Sequence, residues 1–175
     1  KKMEELLELD ELHQEFVQTS TVGRREAIER GEILHRVLAM VGNCYGKDYR
    51  SVIQEVTEEI KHTVAEDTVT AVLAVVEAIL TDDACRELFF VPEGAVFCEK
   101  EVVNAYGDLK RIDRLIYRDT TTTIVDYKST QDQTFYQQYQ KQLDEYAGIV
   151  QQIYPHTLVE KKILFLDTMC VETFD

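Results

Sequence analysis

The sequence predicts an α/β domain, a small mixed β-sheet flanked by helices with a helical N-terminal part. Two short apolar runs, Ile112 to Tyr117 and Thr123 to Tyr127, flank the polar segment Asp119-Thr-Thr-Thr. That is the pattern of two antiparallel strands and a tight turn. A long amphipathic stretch from about Phe135 to Tyr154 and a further apolar run, Leu158 to Asp167, then read as a crossover helix returning to the sheet. Residues 1–90 carry helical spacing instead. We divide the chain into a helical part, 1–90, and an α/β core, 91–175, within one domain.

Each element has its own signal. Residues 1–19 place Leu6, Leu9, Leu12 and Phe16 at helical intervals with acids opposite, until a Thr/Ser cluster and Gly23 break the helix. From Arg24 to about Val41, Leu34, Val37, Leu38 and Val41 form a buried stripe with His35 beside it. Gly42 to Gly46 is a turn, and Asp48 caps a helix running to about Ala65. Asp67 or Thr68 opens another around the apolar run Ala71 to Leu80, and Asp82 and Asp83 open a short one ending near Phe90. After the turn Val91-Pro92-Glu93-Gly94, residues Ala95 to Ala105 alternate as a strand. Val96, Cys98, Lys100 and Val102 face one way and Phe97, Glu99, Glu101 and Val103 the other. Gly107 and Asp108 turn the chain into the Asp113 strand. In the long helix Tyr139, Leu143, Tyr146, Ala147 and Val150 form the core stripe; Pro155 stops it, and Met169 to Phe174 reads as an edge strand.

Composition bounds the function. The chain has 175 residues, 45% hydrophobic and 30% charged, with two prolines and seven glycines, the balance of one globular domain. No run approaches the ~20 apolar residues of a membrane span and no signal peptide opens it, so we expect a cytoplasmic protein with no membrane partner. No GxxxxGK[ST] phosphate loop is present, which puts any ATPase outside this piece. Cys44, Cys85, Cys98 and Cys170 are scattered without a CxxC pair; we read all four as small buried hydrophobes. The net charge of −14 denies the chain a broadly basic nucleic-acid face, although Lys110, Arg111, Arg114, Arg118 and Lys128 gather near the hairpin.

The hairpin's acids carry the chemistry. Strand alternation points Asp126 and Lys128 the same way, and a loop with an even number of residues sets Asp113 opposite one of them with its side chain on their face. Like charges a few ångströms apart are costly unless a cation stands between them, and carboxylate oxygens suit Mg²⁺ or Mn²⁺. Lysine completes a phosphodiester-cutting site by orienting or deprotonating water, or by stabilising charge on phosphorus oxygens. The bland alternative is a cross-strand Asp/Lys ion pair of ~0.2–1 kcal/mol. Asp126 weighs against it, because it follows Ile124 and Val125 in a strand that reads as buried, where a lone acid is expensive.

Asp113, the Asp126-Tyr127-Lys128 run, and a following helix with Gln142 and Tyr146 at QxxxY spacing resemble the PD-(D/E)XK nuclease superfamily. The closest branch is the RecB-like (RecB/AddA-type) C-terminal nuclease domain of UvrD/Rep-type helicase-nucleases. The resemblance covers roughly residues 24–167. It implies a restriction-endonuclease-like core excised from a longer helicase chain. The implied activity is metal-dependent exonuclease cleavage of DNA in double-strand-break repair and recombination. Gly31-Glu32-Ile33-Leu34-His35 matches the family's GxxxH element, which implies His35 as a metal ligand with Asp113, Asp126 and the Tyr127 carbonyl. Taken alone, a histidine at a helix edge is more often structural; a glycine one turn earlier also permits close helix approach. Lys128 is implied as catalytic, and Gln142 as positioning substrate or site with Tyr146 in support. Glu99 has a secondary place near the metals, against an equal reading as solvated charge. Arg114 contacts phosphate or forms a surface ion pair. Implied partners are single-stranded DNA delivered by a motor, and a helicase domain in cis or in a partner subunit. The cysteine cluster of iron-sulfur members is missing, so we expect no iron-sulfur centre. The rival readings are a catalytically inactive module that guides DNA or docks a protein, and a stand-alone restriction- or resolvase-type nuclease.

Overall fold

The β2–β3 hairpin fixes the sheet, and its turn fixes the hairpin. In the computed structural model, which describes residues 21–175, β2 (Leu109–Tyr117) and β3 (Thr121–Lys128) are joined through Asp119 and Thr120, with Arg118 N–H donating to the Thr121 carbonyl at 2.8 Å. The loop is even, as expected. Leu115 pairs with Ile124 and Arg114 with Val125, so continuing the register sets Asp113 level with Asp126. The helix expected over 1–19 lies outside the described residues.

Around this hairpin the described residues form a mixed five-stranded sheet in the order β1-β2-β3-β4-β5, with β1 Ala95–Val103, β4 Leu158–Phe165 and β5 Cys170–Phe174. Neighbours are antiparallel except β3 and β4, which run parallel because the helix Tyr136–Ile153 crosses between them. Among the described residues four helices precede the sheet: α1 Thr21–Val41, α2 Tyr49–Ile60, α3 Glu66–Thr81 and α4 Asp83–Phe89; the crossover helix is α5. Asp48 caps α2 by accepting from Arg50 N–H, and Asp82 caps α4 by accepting from Cys85 N–H. Gly42, at φ +57, ends α1 in the left-handed conformation that glycine adopts without strain.

Two apolar layers cover the two faces. Leu34, Val37, Leu38 and Val41 of α1 pack with α2–α4 against Ile116, Val125, Tyr127 and Leu164. On the other face Tyr139, Leu143, Tyr146 and Val150 of α5 pack against Ile112, Leu115, Ile124, Ile163 and Phe165. The strands β3 and β4 alternate between the layers without interruption, as period-two reading requires.

In β1 the expected alternation fails. Glu99 sits at φ +49, a strained conformation for a side chain of its type. Pairing runs Cys98 with Arg114 and then Lys100 with Ile112, so Glu99 and Asp113 are skipped. The faces swap across the break: Phe97 and Val102 both meet the α5 layer, as do Leu115 and Ile112. Asp113 thereby leaves the regular face pattern at the place where β2 passes β3.

Candidate active site

Where the β2–β3 ladder would continue past Arg114 and Val125, a side chain takes over. The backbone N–H of Tyr127 donates to Oδ2 of Asp113 at 2.8 Å. A carboxylate that accepts a strand N–H is fixed in place and stabilised as the anion. From α1, Nε2 of His35 approaches the same oxygen at 3.4 Å, and the His35 ring meets the Tyr127 ring edge-on at 5.5 Å. On β3 the Lys128 ammonium lies 3.1 Å from Oδ2 of Asp126 and 5.1 Å from the centre of the Tyr139 ring on α5. Side-chain exposures are 30% for His35, 14% for Asp113, 6% for Asp126 and 13% for Lys128, so the group is sunken, with His35 nearest solvent and Asp126 deepest.

Electrostatics divide the two acids. For Asp113, burial favours the neutral form, but His35, the Tyr127 N–H and Lys128 outweigh it and hold the carboxyl below its ordinary value. For Asp126, burial leads and the neighbouring Asp113 adds to it, lifting the pKa to about 7 against the pull of Lys128. Like-charged pairs behave this way, one member ionising at the expense of the other. Burial alone would lower His35, but Asp113, the Gly31 carbonyl and Asp126 carry it up to about 9.

The His35 tautomer follows from its partner. Its Nδ1 lies 3.0 Å from the Gly31 carbonyl, which can only accept, so Nδ1 carries the hydrogen. Once the imidazole is neutral, Nε2 presents its lone pair toward Asp113, the orientation a metal ligand needs. Gly31 contributes through that carbonyl rather than by close approach, because a methyl group at its Cα would meet nothing within 4 Å. The expected reason for the glycine is thus corrected.

Whether these residues suit a divalent ion is tested by the acids themselves. Among the described residues, Oδ2 of Asp126 is buried and has no aligned hydrogen-bond donor; the Lys128 ammonium meets it at ion-pair distance only. A hard cation satisfies such an oxygen. Among the described residues no three His, Cys, Asp or Glu side chains form a ready-made cage.

The other expected site residues fall differently. The amide of Gln142 donates to the Tyr146 hydroxyl at 3.1 Å, and Tyr146 donates to the Arg111 carbonyl at 3.2 Å. This pair holds β2 two residues before Asp113. Glu99 is half-buried across from Asp113 at the skipped position. Arg114 requires a correction, since it is neither a phosphate contact nor a surface ion pair. It is fully buried, and its guanidinium donates to Tyr127, Leu88, Leu38 and Gly42. The sequence held a usable signal: before the break in alternation, Arg114 shares its face with the core residue Ile116. Tyr139, a member of the core stripe, also turns its ring toward Lys128. Cys44 and Cys85 are buried as expected, whereas Cys98 and Cys170 are only half-buried.

No family model matches the chain, and no curated protein matches it. No helix among the described residues is long and apolar enough to cross a membrane.

Proposed function

We propose that this chain is a Mg²⁺- or Mn²⁺-dependent deoxyribonuclease of the PD-(D/E)XK superfamily, RecB-like branch, hydrolysing phosphodiester bonds as an exonuclease. It works with a helicase, in cis or as a partner subunit, in double-strand-break repair and recombination. The observation that carries the reading is the meeting of Asp113, Asp126 and Lys128 at the splayed end of the β2–β3 ladder, with His35 brought to Asp113 from a separate helix. The β-β-β-α-β order with parallel β3 and β4 supports a restriction-endonuclease-like core.

Asp113, Asp126, Nε2 of His35 and the Tyr127 carbonyl would hold the ion, which would supply Lewis acidity and ease the ionisation of water there. Lys128 adds a cation beside Asp126 for orienting the attacking water or meeting charge on the phosphate oxygens. Gln142 and Tyr146 fix the β2 main chain rather than touching the reacting atoms. With a net charge of −14 the domain binds DNA weakly alone, and the motor delivers the strand.

That same charge, with the lack of a three-ligand cage among the described residues, favours one rival, an inactive module that guides DNA or docks a protein. Cleavage of labelled single-stranded DNA with Mn²⁺ by wild type, Asp126→Ala and Lys128→Ala separates them. Metal-dependent cutting by wild type, lost in both variants, supports the nuclease. Without cutting, Mn²⁺ calorimetry decides: heat abolished by Asp126→Ala means a site idle without its motor, and no heat at all favours the inactive module.

A further inference from the structure

We infer that Arg114 is a positioning residue, a buried clamp whose guanidinium sets α1, β2 and β3 at the spacing that brings His35, Asp113 and Tyr127 together. The inference rests on the proposed metal site for its functional meaning, but its geometry stands apart from it.

Arg114 is the largest fully buried side chain among the described residues. Its Nε donates to the Tyr127 hydroxyl at 2.9 Å, one terminal nitrogen donates to the Leu88 carbonyl at 3.1 Å, and the other to Gly42 at 2.9 Å and Leu38 at 3.4 Å. Its Cζ also lies 4.1 Å from the centre of the Phe89 ring. The acceptors come from α1 and its C-terminal glycine, from α4 and from β3, while the arginine itself belongs to β2.

A buried guanidinium is an expensive way to fill space, because each N–H left without an acceptor is heavily penalised. Here the acceptors are neutral, and two of them close the C-terminus of α1, where the helix dipole leaves partial negative charge. The planar fork satisfies all of them only when the three elements stand at fixed distances. An apolar residue of like volume would pack there without that constraint.

What the clamp touches gives it consequence. Leu38 lies three residues beyond His35 on α1, so anchoring its carbonyl fixes the rotation and depth of the turn that carries the imidazole. Tyr127 gives its hydroxyl to Arg114 and its N–H to Asp113, so one residue links clamp and carboxylate. Asp113 adjoins Arg114 in the chain. On the opposite face Tyr146 holds the Arg111 carbonyl, pinning β2 on both sides of Asp113.

The test uses Arg114→Lys, which keeps charge and loses the fork; Tyr127→Phe, which keeps the ring and loses the hydroxyl; and Val72→Ala, a fully buried α3 position away from the clamp, as a stability control. Mn²⁺ affinity is read by calorimetry, and the His35–Tyr127 ring contact by NMR cross-relaxation in metal-free protein. Replacing a residue that orients metal ligands typically changes metal affinity 10- to 100-fold, so the two clamp variants weaken Mn²⁺ roughly 10-fold or more and lose or reduce the ring contact, while Val72→Ala changes neither. Wild-type affinity and an intact ring contact in both clamp variants would overturn the inference, leaving Arg114 a core residue only. If wild type binds no Mn²⁺, the metal reading fails and the ring contact alone decides the clamp. If Arg114→Lys does not fold, Tyr127→Phe carries the test.

Discussion

Replacing Asp126 by asparagine should stabilise the metal-free domain while abolishing metal binding. Asp126 titrates at about 7 in the fold against an ordinary 3.8, with burial the first cause and Asp113 the next opposing charge. The folded state therefore binds the proton more tightly than the unfolded chain. The contribution of Asp126 to stability is most favourable below pH 3.8, declines as pH rises, and is least favourable above 7. The difference of about three pH units corresponds to roughly 4 kcal/mol at pH 8 and above. Asparagine escapes that penalty but leaves Lys128 without the carboxylate 3.1 Å away, which returns part of the gain. A net stabilisation of about 1–3 kcal/mol at pH 8 remains. Urea unfolding at pH 4, 6 and 8, with and without Mn²⁺, measures it. The variant's advantage should be absent at pH 4, open between pH 4 and 7, and stay flat above. Mn²⁺ should stabilise wild type and not the variant. An Asp126→Asn protein less stable than wild type at pH 8 without metal would refute the electrostatic account.

Other expectations follow from the same geometry. His35, at about 9 in the fold against 6.5, contributes stability that is complete below 6.5 and lost as pH rises through 9. Discounted for its 30% exposure this is about 1–2 kcal/mol, so His35→Gln should flatten the unfolding curve between pH 6.5 and 9. Mn²⁺ entering at pH 7 should displace roughly one to two protons from His35 and Asp126, making the calorimetric enthalpy depend on the buffer's ionisation enthalpy; an enthalpy independent of buffer would contradict it. Two glycines should respond oppositely to alanine. Gly31→Ala, with open space on a helix, should raise the unfolding midpoint by the equivalent of ~0.5–1 kcal/mol and spare Mn²⁺ binding. Gly94→Ala, at φ +119 with its Cβ 2.2 Å from the Tyr117 carbonyl oxygen, should lose more than about 2 kcal/mol.

The sequence disclosed whatever depends on regular periodicity. The stripe Leu34, Val37, Leu38 and Val41, the strand set Ile124, Val125 and Tyr127, and the turn at Asp119 all follow from period and turn chemistry, and with them the placement of Asp113 opposite Asp126 or Lys128, which the register continued from Arg114 and Val125 resolves to Asp126. What it concealed begins where the backbone departs from the period. Nothing in the residue type of Glu99 announces φ +49, and beyond that point every face assignment in β1 inverts. The face of Arg114 was legible from its alternation with Ile116, but its partners were hidden for a related reason. An arginine reads as surface unless acceptors are known to converge on it, and those acceptors are backbone carbonyls of Leu38, Gly42 and Leu88, which no side-chain pattern encodes.

Three departures from local rules gather in one place, although Met169 at φ +54 and the buried Nε of Arg24 lie elsewhere. A glutamate at positive φ, a buried arginine with neutral acceptors, and a buried carboxylate oxygen without an aligned donor all lie on or beside Asp113. A fold selected for stability alone would place apolar residues at Arg114 and Asp126 and a regular residue conformation at Glu99. Concentrating three costly features around one acid is reasonable if that acid must be held for a cation. The protonation pattern agrees, since metal-free His35 keeps a proton at neutral pH and Asp126 shares one. Those protons occupy, in charge and in place, much of what a divalent ion would bring. The protonated site is thus close to balanced in charge, and on the proposed reading a divalent ion entering it would displace those protons.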